Sequence, residues 1–265
     1  MAYSVFCHRL LRKAPAVLLL AAAALLAGCA SPGVSDKADI AAIERTWAGA
    51  SDPVWERFVF PGKTASEYRY DRLDARAVVS VRAKGSASML RRHVRIAPAD
   101  LGRIRFSWKV PALITDADLA ARDADDSPVR IVLAFEGDRS NFSTKNTALS
   151  ELSRLLTGEE MPYATLMYVW CNQRDAGKVV TSPRTDRIRN VVVESGPRNL
   201  NQWLSYERDI RADFEQAFGE APGALVGIAL MTDTDNTQSQ TQAWYGPVSL
   251  APRAAEPGAA PALAN

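Results

Sequence analysis

The sequence predicts a mainly β protein, built as a single β-sandwich or jelly roll with one or two short inserted helices. About ten segments show the period-two alternation or the short apolar run of a strand, and turn residues separate them. A helical period is confined to two stretches between strands. Strands and long helices do not alternate regularly, which argues against a parallel α/β sheet.

Residues 1–28 have the composition of an export signal. Arg9, Arg12 and Lys13 precede an unbroken apolar run from Ala16 to Ala27, which is too short to span a bilayer. The run ends in Leu26-Ala27-Gly28-Cys29, which resembles the lipobox of bacterial lipoproteins. The resemblance implies cleavage before Cys29, lipidation of its thiol and a membrane anchor. Because residue 30 is Ala rather than Asp, it also implies the outer membrane, facing the periplasm.

The net charge of the chain changes once this segment is removed. The 265 residues include 32 basic and 30 acidic ones, for a formal charge of +2. The signal contains three of the basic residues and no acidic residue, so its removal leaves 29 basic and 30 acidic residues. A nucleic-acid partner, which requires a basic patch on the folded domain, is therefore not expected.

The mature chain divides into a tether, one sandwich domain and a tail. Residues 29–50 read as a tether with a short helix, 51–250 as the β-sandwich, and 251–265 as a disordered Ala/Pro-rich tail. Apolar residues alternate strictly with polar ones from Ile104 to Val110, which indicates a half-buried strand. The other predicted strands are Glu67–Leu73, Ala77–Ala83, Leu90–Ile96, Val129–Phe135, Thr165–Trp170, Val191–Glu194, Trp203–Asp209, Leu225–Met231 and Ala243–Leu250.

Two helices are predicted between these strands. The first, from Asn146 to Leu156, carries a stripe of four leucines, and the second, from Ile210 to Phe218, ends at Gly219. Cys171 ends an apolar run and is expected to be a buried, inert thiol. His93, the only histidine after the signal, is expected on the surface of a strand.

An ordered set of short strings resembles one bacterial secreted family, catalogued as domain of unknown function 3047. The strings are Ser86–Leu90, Phe106–Val110, Asp125–Ile131, Leu166–Trp170, Glu207–Ile210, Ala229–Thr237 and Tyr245-Gly246. The resemblance covers about Trp55 to Leu250 and implies export and one folded unit. The strand order also resembles the galactose-binding-like jelly rolls of carbohydrate-binding modules, which implies the same sandwich fold.

The first candidate site is an acidic loop before the strand that contains Arg130. Five aspartates lie between residues 116 and 126, among them Asp125 and Asp126. Because a buried arginine needs an anionic partner, we expect Asp125 or Asp126 to pair with Arg130. Ligand or metal binding, and acid–base catalysis by two of the carboxylates, are the alternatives.

The second candidate site directly follows the apolar strand Leu225–Met231. Asp233, Asp235 and Thr237 have the spacing of the first ligands of a calcium loop, but Gln238 and Trp244 occupy positions where an EF-hand has Gly and Glu. The loop is therefore not an EF-hand. Asp233 and Asp235 could bind Ca²⁺ in another geometry, or the segment with Asn236 could form a side-chain-bonded turn.

Aromatic residues next to the second loop suggest a sugar ligand. Trp244 and Tyr245 follow Asn236 closely, and aromatic faces stack on the apolar faces of sugar rings. Neighbouring strand residues point to opposite faces, so only one of the two can join a given site. We expect a non-catalytic glycan-binding or other polar ligand site. The alternatives are a jelly-roll lyase or hydrolase with a carboxylate pair, and an envelope assembly factor with an exposed apolar patch.

Overall fold

A computed structural model describes residues 55–251, which form two packed β-sheets with two helices. The strands are β1 (Glu56–Val59), β2 (Glu67–Leu73), β3 (Arg76–Lys84), β4 (Ala87–Ile96), β5 (Arg103–Lys109), β6 (Ser127–Phe135), β7 (Ala164–Cys171), β8 (Val179–Thr181), β9 (Ile188–Ser195), β10 (Leu204–Asp209), β11 (Leu225–Asp233), β12 (Gln240–Tyr245) and β13 (Ser249–Ala251). The helices are α1 (Thr144–Thr157) and α2 (Ile210–Phe218). The predicted β-sandwich with short inserted helices is confirmed.

The seven-stranded sheet has the order β1-β4-β11-β6-β7-β9-β8, and the second sheet contains β10-β5-β12-β3-β2, with β13 paired to β5. All pairs are antiparallel except β7 with β9. The central strands β6 and β11 are paired although about a hundred residues separate them. This pairing brings the start of β6 next to the end of β11, where the first acidic loop ends and the second begins.

The core lies between the two sheets and is built from alternate residues of each strand. On β5, the predicted inward residues Ile104, Phe106 and Trp108 are buried, and on β6 every second residue from Val129 to Phe135 is buried with them. Phe106 stacks on Tyr168 with a ring-centroid distance of 5.4 Å, which joins the sheets through an aromatic pair.

Both helices are capped at each end, and the predicted end of α2 at Gly219 is confirmed. The side chain of Ser143 caps α1, and the side chain of Asp209 caps α2. Each helix ends at a glycine with positive φ, Gly158 for α1 and Gly219 for α2. Phe214 of α2 is fully buried in the core, so α2 closes one end of the sandwich.

Several details differ from the sequence prediction. β1 and β8 were not predicted because they are four and three residues long and show no clear period. The predicted strand Ala243–Leu250 is two strands, since β12 ends at Tyr245 before Gly246-Pro247. Ala251, predicted as the start of the tail, pairs with β5.

The predictions for the chain ends fall on residues that the structure does not describe. The signal peptide, Cys29, the tether and its short helix, and residues 252–265 of the tail all lie outside the described range. Between residues 55 and 251, neither helix is long and apolar enough to cross a membrane.

Candidate functional site

A groove lies on the outer face of the seven-stranded sheet, the face turned away from the core. Its central floor consists of small side chains on β11 and β6: Gly227 and Ala229 pair with Ala134 and Val132. Larger methionines flank them, Met89 on β4 and Met167 on β7. A band of small residues between larger ones creates a trough along the two central strands.

Helix α1 forms one wall of the groove. Near its start, Asn146 Nδ2 donates a hydrogen bond to Asp186, in the loop before β9. Just after its end, Glu159 accepts two hydrogen bonds of 2.7 Å from Arg91 on β4. Because β9 and β4 lie on opposite sides of the central strands, α1 extends across the outer face of the sheet.

The leucine stripe of α1 faces the groove and does not enter the core. Leu149, Leu152 and Leu156 line the groove, and Leu155 lies beside them, 76% exposed. The buried residues of α1 are instead Asn146 and Ser150. These leucines are the exposed apolar surface that the protein-binding alternative requires.

The groove has a volume of about 1190 Å³ and is charged at both ends. One end contains Arg95, which pairs with Glu136. The opposite end, here called the aspartate end, is lined by Lys63, Asp125, Arg130, Arg184, Asp233, Asp235 and Asn236. Most of the residues predicted from the two acidic loops therefore meet at one end of one groove.

Arg130 organises the aspartate end and is 3% exposed. Its Nε donates to Asp233 Oδ1 at 2.9 Å, and its Nη2 donates to both the carbonyl and the Oδ1 of Asp125 at 3.0 Å. Its Nη1 donates to Asn190 Oδ1 at 3.1 Å, and Ser127 N–H gives Asp233 a further donor. The predicted ion pair of Arg130 is present with Asp125, and Asp233 is an additional partner.

Burial makes these charges interact strongly. Burial alone would lower the pKa of Arg130, but the charges of Asp233 and Asp125 raise it, so the guanidinium stays charged. Burial raises the pKa of Asp233 to about 7, although Arg130 lowers it in part. Asp233 is thus a groove carboxyl that can exchange a proton near neutral pH.

Asp125 is the one of the two predicted carboxylates that pairs with Arg130, and no contact joins Arg130 to Asp126. The carboxylate of Asp126 accepts hydrogen bonds from the backbone N–H groups of Asn236 and Thr237 and from both of their side chains. Asn236 Nδ2 also donates to the carbonyl of Asp125. Asp126 therefore fixes the second loop against the first, as a side-chain-bonded turn would.

Asp126, Asp233 and Asp235, here called the acidic cluster, offer carboxylate oxygens within 4.8 Å of one another. This set includes the predicted ligands Asp233 and Asp235 of a Ca²⁺ site. Four donors already occupy the oxygens of Asp126, and Lys63 Nζ lies 2.5 Å from Asp235. Ca²⁺ takes six to eight oxygens, so a bound ion would have to displace Lys63 and recruit further ligands.

The carboxylates along the groove rim are held by arginines. A hydrogen bond from Arg91 lowers the pKa of both Glu56 and Glu159, and a hydrogen bond from Arg95 lowers the pKa of Glu136. His93, exposed as predicted, lies 3.2 Å from Glu56. These carboxylates are therefore ionised at neutral pH and act as hydrogen-bond acceptors.

The predicted aromatic residues do not line the groove. Tyr245 is fully buried between the sheets, where its hydroxyl donates to the carbonyl of Met231. Trp244 points the other way, to the outer face of the second sheet, opposite Ser80 and Lys109. The expectation that one of them joins the ligand site is corrected on this geometry.

Residues 53–249 match the family model described as protein of unknown function (DUF3047). The chain belongs to this family. No curated protein matches the sequence significantly. The match covers the described sandwich almost completely, so the groove is built entirely within the family's domain.

The solved structures that match the chain include two with low sequence identity. One is the xyloglucanase domain of NopAA, a type three effector from Sinorhizobium fredii, in complex with cellobiose, with 9% identity over 75% of this chain and 98% of that chain and a TM-score of 0.36. The other is endoglucanase 3 of Trichoderma harzianum, from family GH12, with 9% identity over 74% and 95% and a TM-score of 0.38. At these TM-scores, neither similarity supports a conclusion about this protein.

The sequence prediction missed the groove floor, its α1 wall and the roles of Lys63 and Arg184. Arg184 Nη2 donates to Asn236 Oδ1 at 2.6 Å at the aspartate end. The signal for the floor was present, because Gly227 and Ala229 on one strand face are too small to fill a packed layer. Lys63 and Arg184 lie in turns far from either acidic loop in sequence, where no local pattern marks them.

Proposed function

We propose that this protein is a non-catalytic binding protein of the cell envelope, whose groove holds a glycan or another polar envelope ligand. The groove itself carries the proposal, because it is long, open and bordered by ion-paired arginines and carboxylates. Arg91 and Arg95 and their glutamate partners present fixed donors and acceptors to a ligand's hydroxyl groups. The proposal includes lipidation of Cys29, which would hold the domain at the outer membrane, facing the periplasm.

The lowered pKa values of three rim glutamates argue against a catalytic acid on the rim. A glycoside hydrolase needs a carboxylic acid that stays protonated near neutral pH beside an ionised partner. Glu56, Glu136 and Glu159 have lowered pKa values, so none of them supplies that acid. Their pairing with arginines instead suits a fixed hydrogen-bonding rim.

A glycan array followed by calorimetric titration of the best binders tests the proposal. Arg95→Gln removes a rim donor from an exposed ion pair, and we expect it to lower the affinity at least threefold. Arg69→Gln is the matched control, because Arg69 forms a similarly exposed pair with Glu67 on the second sheet. If no glycan binds, or if both variants lose affinity equally, the proposal is wrong.

A hydrolase or lyase is the second candidate, and the raised pKa of Asp233 favours it. Asp233 lines the groove, and its carboxylate lies within 4.8 Å of the other two carboxylates of the acidic cluster, so a second carboxylate is close enough to act with it. Incubation of a bound glycan with the protein, followed by mass spectrometry of the products, tests this candidate. Cleavage by the wild type that Asp233→Asn abolishes, with binding retained, would replace the binding proposal by the enzymatic one.

A further inference from the structure

The methionines of the described residues are gathered in one place. All four of them, Met89, Met161, Met167 and Met231, line the groove. Methionine is flexible and polarisable, and it adapts to apolar ligands of variable shape. Thioether side chains do not form strong hydrogen bonds with hydroxyl groups. Four of them on the groove floor therefore indicate that part of the ligand is apolar.

The space between the methionines and α1 is also apolar and stays accessible. Leu152 and Leu156 remain 51% and 59% exposed although they line the groove, so α1 does not pack its leucines onto the floor. Opposite them, Val132 and Ala229 contribute only short apolar side chains. An open channel with apolar surfaces on the floor and on the wall matches an alkyl chain.

The aspartate end adds a positive charge that the protein does not neutralise with an ion pair. Arg91, Arg95 and Arg130 each pair with a carboxylate. Within residues 55–251, Arg184 has no carboxylate at ion-pair distance, and its Nη2 donates only to the carbonyl of Arg122 and to Asn236 Oδ1. The carboxylates of Asp125, Asp233 and Asp235 at this end already pair with Arg130 or Lys63, so the guanidinium of Arg184 is the cation left to accept an anionic group.

We propose that the groove binds an anionic amphiphile, with its alkyl or acyl chain on the methionine floor and its anionic head at Arg184. This inference rests on the proposed function, because it assigns the ligand class of the same groove. An acylated acidic glycan of the envelope combines both parts. The chain would contact Met89, Met167 and Met231, and the rim would contact the polar head.

Calorimetric titration of the full chain with hexyl, octyl and decyl phosphate, each below its critical micelle concentration, tests this inference. Burial of methylene groups predicts that Kd falls roughly tenfold for each added pair of methylenes. Inorganic phosphate and glucose, titrated alone, give the contribution of the head. Decyl glucoside gives the contribution of the chain without the anion, and we expect it to bind at least threefold more weakly than decyl phosphate.

Three variants locate the chain and the head. Met231→Gln keeps the side-chain length and makes the floor polar, and we expect it to weaken decyl phosphate at least fivefold. Leu155→Gln is its control, because Leu155 is exposed on α1 but does not line the groove. Arg184→Gln should weaken decyl phosphate and leave decyl glucoside unchanged. Unfolding curves of each variant exclude a loss of folded protein as the cause.

The outcomes separate this inference from the proposed function. Affinity that does not depend on chain length, or equal losses in the Met231 and Leu155 variants, would overturn the inference while leaving glycan binding intact. Chain-dependent binding without any glycan binding would support the inference and overturn the glycan proposal. If neither the amphiphiles nor the glycans bind, both are wrong.

Discussion

Replacing Arg130 by Met removes the charge at the centre of the aspartate end while keeping most of the side-chain volume. The guanidinium holds Asp233 at 2.9 Å and Asp125 at 3.0 Å, and all three side chains are buried or nearly so. Removing one partner of a buried ion pair costs about 3–5 kcal/mol, because the remaining charge is left uncompensated. We expect the free energy of unfolding to fall by that amount at pH 8.

The loss should depend on pH, because it arises from ionised carboxylates. Without Arg130, the pKa of Asp233 rises further above its ordinary value, and protonation then removes the uncompensated charge. We therefore expect a smaller loss at pH 5 than at pH 8. In the Asp233→Asn background, where one of the carboxylates is already neutral, Arg130→Met should also cost less.

Urea unfolding of the two single variants and the double variant at pH 5 and 8 measures these quantities. Arg95→Met is the control, because it removes an exposed ion pair, and its unfolding midpoint should stay close to that of the wild type. A loss below about 1 kcal/mol for Arg130→Met at pH 8 would refute the argument. So would a loss that is the same in the Asp233→Asn background.

Three further predictions follow from the described contacts. Because the pKa of Asp233 is raised to about 7 in the folded state, the folded state gains stability that is fully present below about pH 4 and is lost as the pH rises through about 7. Asp233→Asn should therefore flatten the dependence of the free energy of unfolding on pH, measured by urea unfolding, by up to about 4 kcal/mol. Lys63→Gln removes the cation that a calcium ion at the acidic cluster would have to displace, so calcium should raise the Tm of this variant more than that of the wild type. An equal rise in Tm for the variant and the wild type would refute a calcium site at the acidic cluster. Gly137→Ala should cost about 1–3 kcal/mol, because its Cβ would lie 2.0 Å from the Tyr163 ring, whereas Gly227→Ala meets only ordinary contacts.

The strands could be predicted because each long strand carries its own period in the sequence. β5 alternates strictly, and β6 is apolar apart from Ser127 and Arg130, so both are visible in a window of seven to nine residues. β1 and β8 are too short to show a period, and pairing with β4 and β9 is what makes them strands. Such pairing is tertiary information that no local window contains.

The acidic loops could be predicted as polar sites, but their meeting depended on sheet order. Asp233 pairs with Ser127 because β11 and β6 are antiparallel neighbours. That pairing places Asp125 and Asp233 on the same guanidinium, although 108 residues separate them in the sequence. The sequence predicted that Arg130 has an anionic partner. The order of the strands in the sheet determines that the partners are Asp125 and Asp233.

The groove could not be predicted, because apolar residues on both faces of a strand fit either a strand buried on both faces or a strand with one face in a groove. A strand that is apolar on both faces, such as β6, predicts burial on both faces. In the structure one face of β6 meets the core, and the other is the groove floor, where Val132 and Ala134 lie. The leucines of α1 have the same ambiguity, because an apolar stripe fits either a core or a ligand channel.

The aspartate end separates the residues that build the site from those that would select its ligand. Arg130 and Asp126 are buried and fully engaged, so their substitution changes stability and loop position before it changes any ligand contact. Arg184 and Arg95 are more exposed and can change partners at little cost to the fold. Binding that changes in the Arg184 and Arg95 variants at constant stability would therefore report on ligand contacts, whereas a change in the Arg130 variant would report on the scaffold that positions them.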